Sequence, residues 1–228
     1  MTEHNYSLLD KGFIRLVEML GDDMAVVNAA RVSFGQEGKG DERDKKLIDY
    51  LMRNGHETPF EHALFKFHVK CPIFVARQWF RHRWASYNEI SGRYTTFQEE
   101  FYVPEHFRVQ VEKNYQFEDV TGEKNEQLRQ VLQKTYDDLF ALYQKFLAEG
   151  VAKELARMIL PVATYTQFYW TVNARSVFNF LKLRNEEHAQ YEIRVYADTI
   201  AKIMKDKMPW CYEAFERHYL RPDVPPSL

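Results

Sequence analysis

Leu64-Phe65-Lys66-Phe67-His68-Val69-Lys70-Cys71 alternates without a break, with Phe65, Phe67, Val69 and Cys71 on one side and Lys66, His68 and Lys70 on the other. A period of two is the signature of a half-buried β-strand, because successive side chains leave a pleated backbone on opposite faces. Pro72 follows at a position suited to the first turn of a helix, and Ile73 to about Ser86 is expected to be that helix. A second run, Val162 to Val172 (VATYTQFYWTV), is dense in β-branched and aromatic residues and also predicts a strand.

Outward from these strands the pattern turns helical. Leu128, Val131, Leu132, Leu139, Leu142 and Phe146 recur at helical spacing, with Gly150 placed to end the helix. Asp41 is expected to cap a helix carrying Leu47, Tyr50 and Leu51, with Asn54-Gly55 as its stop. Ala152 to Leu160 reads as a short helix ending before Pro161. Asn173 is placed to cap one helix, and Asn185 another that runs from Glu186 to Lys207. Gly12 to Phe34 predicts short ordered elements followed by a Gly-rich loop to Asp41, and 105–127 a polar surface insertion. The tail after Arg221, with three prolines in PDVPPSL, is expected to fray. No repeat, low-complexity linker or composition break divides the chain, so one α+β domain spanning 1–228 is expected.

Composition narrows the function classes. Lys and Arg number 31 against 33 Asp and Glu, so the surface as a whole is no platform for nucleic acid or membrane. Cys71 and Cys211 alone make no disulfide framework and fit a reducing cytoplasm. No secretory leader and no membrane-spanning run are read in the chain. G-x-G-x-x-G after a strand, the P-loop and the G-x-S-x-G elbow are all missing. His56, Glu57, Glu61 and His62 lack the His-Glu-x-x-His spacing, so no metal site is expected.

Charge is instead concentrated in Arg77 to Tyr94, RQWFRHRWASYNEISGRY, which holds four arginines and one Glu. Guanidinium forks beside the hydroxyls of Ser86 and Ser91 and the backbone of Gly92 suit a phosphate or carboxylate ligand. Two other readings stand beside that one: cations complementing a helix C-terminus, and arginines with aromatics gripping a single-stranded nucleic acid. Ser91 has no evident base partner, and Cys71 on an apolar strand face reads as structural, so neither is a strong nucleophile candidate. A second concentration, Asn173 to His188, places Arg175 and Asn179 at i, i+4, where they can serve one planar polar ligand. Arg157 and Arg184 sit beside apolar runs, where an unpaired cation is costly.

These residues resemble a known family. RHRWASYNEIS at 81–91, extended by Gly92-Arg93, resembles the signature of flavin-dependent thymidylate synthases, and the likeness continues in GHETPFEH (55–62), CPIFVARQWF (71–80), ELARMILP (154–161) and WTVNARSVFNFLKLR (170–184). The resemblance implies one α+β domain with a central, mostly antiparallel sheet flanked by helices, long ones among them. It implies conversion of dUMP to dTMP with methylenetetrahydrofolate as one-carbon donor and FAD reduced by NADPH, without a catalytic cysteine. It also implies a cytoplasmic homotetramer with sites shared between subunits, and no nucleic-acid or membrane partner.

Carried over position by position, Thr58, Arg81, His82, Arg83, Glu89, Asn173, Ala174, Arg175 and Asn179 would contact FAD. Gln78, Trp79, Phe80, Arg81, Glu89, Ile90, Ser91, Gly92, Arg93, Arg157 and Arg184 would hold dUMP. Arg184 would favour ionisation of the uracil ring, His56 would lie near flavin and folate, and Ser91 would position the nucleotide or act as a covalent nucleophile.

Overall fold

The computed structural model describes residues 4–35, 40–111 and 117–220. Its frame is a five-stranded sheet in the order β1 (Asn5–Leu8), β2 (Gly12–Leu20), β3 (Leu64–Pro72), β7 (Tyr165–Asn173) and β4 (Ser86–Glu89), every neighbouring pair antiparallel. The central pair is β3 with β7, in unbroken register from Leu64 opposite Asn173 to Pro72 opposite Tyr165. The alternation that predicted β3 is realised literally: Phe65, Phe67, Val69 and Cys71 are fully buried. On its other face Lys66 and Lys70 reach Glu18 and Glu100 at 3.0 and 2.7 Å. Burial also pushes the Cys71 thiol well up, as befits a packing residue.

Helices cover the apolar face. They are α1 (Asp23–Arg31), α2 (Asp41–Arg53), α3 (Ile73–Trp79), α6 (Ala174–Arg184), α7 (Tyr191–Lys207) and α8 (Pro209–Phe215), and their apolar stripes join the sheet in the main core. Two further strands, β5 (Arg108–Gln110) and β6 (Phe117–Asp119), form a small sheet within the segment read as a polar insertion. α4 (Gly122–Ala148) and α5 (Lys153–Ala156) bury Tyr136, Phe140, Tyr143 and Ala156 with Phe101 and Tyr165 in a second, smaller core.

Several ends differ from the sequence reading. α3 stops at Trp79 rather than near Ser86, and Ser86–Glu89 is an edge strand instead. α2 is preceded by Gly40 at φ 98°, leaving Asp41 inside its first turn, whereas Gly55 at φ 65° supplies the expected stop. The helix read over Ala152 to Leu160 is one α-turn followed by a 3-10 turn, Arg157–Ile159. Asn185 ends α6 rather than starting α7, which begins at Tyr191; Asn suits either end of a helix. The tail after Arg221 lies outside the described residues. Among the described residues no helix is long and apolar enough to cross a membrane.

Candidate active site

The arginine cluster sits where α3 gives way to β4. Trp79 ends the helix with its ring sealed in the core, 4.8 Å from Phe180 and 5.3 Å from Trp170 between centroids. Phe80 then turns edge-on against Tyr87 and Phe168. To pair β4 with β7 the chain must reverse here, so Arg81, His82 and Arg83 lie in the connecting loop and not in a last helical turn. That placement removes the reading in which these cations complement a helix dipole. The loop is held at both ends: His82 N–H donates to the Trp79 carbonyl at 3.0 Å, and Tyr87 Oη donates to the His82 carbonyl at 2.8 Å.

The facing wall is α6. Asn173 Oδ1 accepts the Ser176 N–H at 2.9 Å, which is the expected cap and turns the Asn173 amide nitrogen outward as a donor. Arg175 is braced by Glu57 and Glu61 at 2.5 Å each. One face of the helix thus presents Arg175, Asn179 and Lys182 in succession, a spacing of four and then three residues.

Arg184, at the end of α6, meets the loop. Its Nε donates to His82 Nε2 at 3.1 Å and its Nη2 reaches the Gln78 carbonyl at 3.5 Å. Arginine has no lone pair to offer, so His82 Nε2 must be the bare nitrogen and Nδ1 carries the proton. Burial and then the neighbouring Arg184 charge depress the His82 pKa to about 4, so the ring is neutral near pH 7. Burial and the Arg81 charge likewise lower that of Arg184. A cation so crowded and half desolvated gains strongly from any anionic charge placed beside it.

Loop and helix enclose a cavity of about 620 Å³. Its apolar walls come from Leu51, Met52, Phe60, Trp84, Trp170, Phe178, Phe215 and Tyr219, and its polar lining from Glu57, Glu61, Arg81, His82, Arg83, Asn173, Arg175, Asn179, Lys182 and Arg184. Flat apolar walls beside several cations and amide donors fit a ligand that joins planar rings to phosphates, as a flavin dinucleotide does.

The structure brings together six of the expected flavin residues, namely Arg81, His82, Arg83, Asn173, Arg175 and Asn179, together with Arg184. Thr58 and His56 belong to the exposed turn whose neighbours Gly55 and Glu57 line the cavity; neither lines it itself, and His56 packs edge-on to Tyr50. Ala174, the first residue of α6, is fully buried, and Glu89 faces Thr166, whose hydroxyl donates to it at 2.6 Å.

Ile90, Ser91, Gly92, Arg93 and Arg157 form a separate patch, outside the cavity. The Ile90 N–H donates to the Gln167 carbonyl, and a turn from Ser91 follows in which Tyr94 and Thr95 donate to the Ser91 carbonyl. Ser91 Oγ accepts from Arg93 N–H at 3.3 Å. A Cβ on Gly92 would stand 2.4 Å from the Phe97 ring and 3.0 Å from Arg157 Cδ, so this close approach requires glycine. Arg93 pairs with Glu154 at 3.1 Å. Of the remaining nucleotide candidates, Trp79 has its side chain fully buried.

Sequence reasoning missed Lys182, Trp84, Phe215, Tyr219 and the carboxylates that brace Arg175. Lys182 was within reach, because it lies seven residues after Arg175 on the same helical face. Glu57 and Glu61 were weighed only against a metal-binding spacing, and their partner is distant in sequence.

Residues 15–210 match the family described as Thymidylate synthase complementing protein. A flavin-dependent thymidylate synthase of Thermosipho africanus is 53% identical over 223 residues, covering 96% of this chain and 97% of the relative. One from Thermus thermophilus is 53% identical over 213 residues, 93% of this chain and 78% of the relative. Among solved structures, the UMP/dUMP methylase PolB from Streptomyces cacaoi bound with 5-Br UMP superposes with a TM-score of 0.84 at 36% identity, covering 92% of this chain and 95% of that one. Sequence likeness along nearly the whole chain, joined to a cavity with the chemistry a flavin needs, means that the chain belongs to the flavin-dependent thymidylate synthases.

Proposed function

We propose that this enzyme converts dUMP to dTMP, taking the one-carbon unit from methylenetetrahydrofolate and reducing equivalents from FAD that NADPH has reduced. The observation that carries the reading is the Arg184–His82 pair at the junction of the cationic loop and α6. Flavin, when bound, supplies the redox chemistry; Arg81, Arg83, Asn173, Arg175 and Asn179 would hold it. The neutral His82 acts as a hydrogen-bond acceptor that aims Arg184 without competing for anionic charge. Arg184 then stabilises negative charge on a uracil ring ionised at N3, which makes the neighbouring ring carbon a better nucleophile. No cysteine is needed for that activation, in keeping with the buried positions of Cys71 and Cys211.

The Ser91–Arg93 turn and Arg157 suit the nucleotide phosphate. In one chain that patch stands apart from the cavity, which supports a homotetramer whose sites draw the two from different subunits. Ser91 acts as a positioner: among the described residues its hydroxyl has no basic partner, and its hydrogen bond goes to the Arg93 backbone. The deciding experiment is dTMP formation by purified enzyme with dUMP, methylenetetrahydrofolate, FAD and NADPH, each omitted in turn. Dependence on all four is expected, and turnover that survives without flavin would overturn the reading. Ser91→Ala is expected to keep substantial turnover with a raised KM for dUMP; a serine–nucleotide adduct caught by mass spectrometry would assign the covalent role instead.

A further inference from the structure

Gln78 is held from outside both the cavity and the patch. Its Nε2 donates to Oε1 of Gln190, immediately before α7, at 2.5 Å. Gln190 in turn donates from its own Nε2 to Glu192 at 2.8 Å. Glu192 is 2% exposed, and its other oxygen accepts from Tyr102 Oη at 3.1 Å and Arg108 Nη2 at 2.5 Å. A hydrogen-bonded line therefore runs from the β5–β6 hairpin through a buried carboxylate to an amide three residues before Arg81.

The line has one chemical direction. A carboxylate has no proton to give, so Gln190 must turn its NH2 toward Glu192 and its carbonyl toward Gln78. Gln78 must then turn its NH2 toward Gln190, and its carbonyl oxygen Oε1 has no partner among the described residues. Burial drives the Glu192 carboxyl upward in pKa, but the bond and charge of Arg108, its own backbone N–H and Gln190 outweigh this, so the group stays ionised and the direction holds.

We propose that Gln190 and Glu192 are positioning residues for the nucleotide, orienting the Gln78 amide so that its carbonyl oxygen accepts from an N–H or O–H of the bound pyrimidine nucleotide. Arg108 fastens that orientation to the β5–β6 hairpin, giving the polar insertion a part in substrate binding. The inference rests on the placement of Gln78 at the nucleotide site proposed above. A brace serving only the start of α7 would make the same contacts, yet would not couple Gln190 to nucleotide affinity through Gln78.

The test is a double-mutant cycle on the flavin-loaded enzyme with dUMP as ligand, read by calorimetry and by steady-state kinetics. Gln78→Ala and Gln190→Ala are each expected to weaken dUMP binding about three- to tenfold, the loss expected for one hydrogen bond. The change should appear in KM more than in kcat, with bound flavin and Tm unchanged. The double variant should be no weaker than Gln78→Ala alone. Wild-type affinity in Gln190→Ala, or losses that simply multiply in the double variant, would overturn the relay while leaving the nucleotide site intact. Wild-type affinity in Gln78→Ala would remove both the relay and the placement of Gln78. Glu192→Gln, which frees Gln190 to turn over, should match Gln190→Ala; a folded Glu192→Gln with full affinity would refute the direction. Gln190 is exposed, so its variant decides the matter even if the buried substitution does not fold.

Discussion

The cavity between the arginine loop and α6 differs from the Ser91–Arg157 patch in how firmly the fold fixes its polar groups. In the cavity several polar groups are already aimed: His82 receives Arg184, Asn173 is turned by its capping bond, and Arg175 is clamped by two carboxylates. In the patch, Arg93 and Glu154 form a pair whose side chains are 57% and 51% exposed, a contact of about 0–1 kcal/mol that a better ligand readily displaces. One region is preorganised and the other is held by an exposed, easily exchanged ion pair. Rate should therefore depend most on the first, and apparent affinity for the nucleotide most on the second.

Arg184→Ala tests the sharpest form of this contrast, with turnover expected to fall at least about 100-fold while flavin remains bound, as when a charge-stabilising donor is lost. Unchanged turnover would move the electrostatic role elsewhere. Arg175→Ala comes next: it removes a cation and leaves Glu57 and Glu61 facing the cavity unpaired, so flavin affinity should fall about tenfold or more in a titration followed by absorbance. Gly92→Ala should raise KM for dUMP by about tenfold through displacement of Phe97 and Arg157, with flavin content intact. A Gly92→Ala enzyme that lost flavin instead would show that the two regions are not separable.

The smallest effect concerns pH. In the unfolded chain His82 takes up a proton near its ordinary value of 6.5, whereas the folded one resists until about pH 4. Its contribution to stability is thus fully present above about pH 6.5 and is lost as pH falls toward 4. Replacing it by glutamine, which keeps an acceptor and cannot titrate, should flatten that part of the Tm–pH curve. Equal acid sensitivity in wild type and His82→Gln would place the loss in other groups.

The sheet's centre was legible because β3 and β7 carry their fate locally, one in alternation and the other in β-branched and aromatic density. Asn173 was legible as a cap for the same reason. β4 was not: Ser86-Tyr87-Asn88-Glu89 has one strong strand former, and its pairing is imposed by β7. That missed strand is also why the arginines were read onto a helix. Arg175 and Asn179 could be grouped from spacing alone, whereas the meeting of Arg184 with His82, 102 positions earlier, depends on the sheet register between them. The division of the expected nucleotide residues between cavity, relay and patch is likewise a product of tertiary structure.

Trp79 gives the arginine loop an unusual dynamic character. Although Arg81 and Arg83 are exposed, the neighbouring amides of Phe80 and His82 are bonded to the carbonyls of Ala76 and Trp79, directly above a ring sealed among Phe168, Trp170, Phe180 and Tyr196. Those amides cannot be released by fraying of a surface loop alone; the aromatic cluster must loosen with them. In hydrogen exchange they should follow the slow opening of the core and not the rapid exchange of the neighbouring solvent-facing backbone, making this loop a fixed seat instead of a swinging lid.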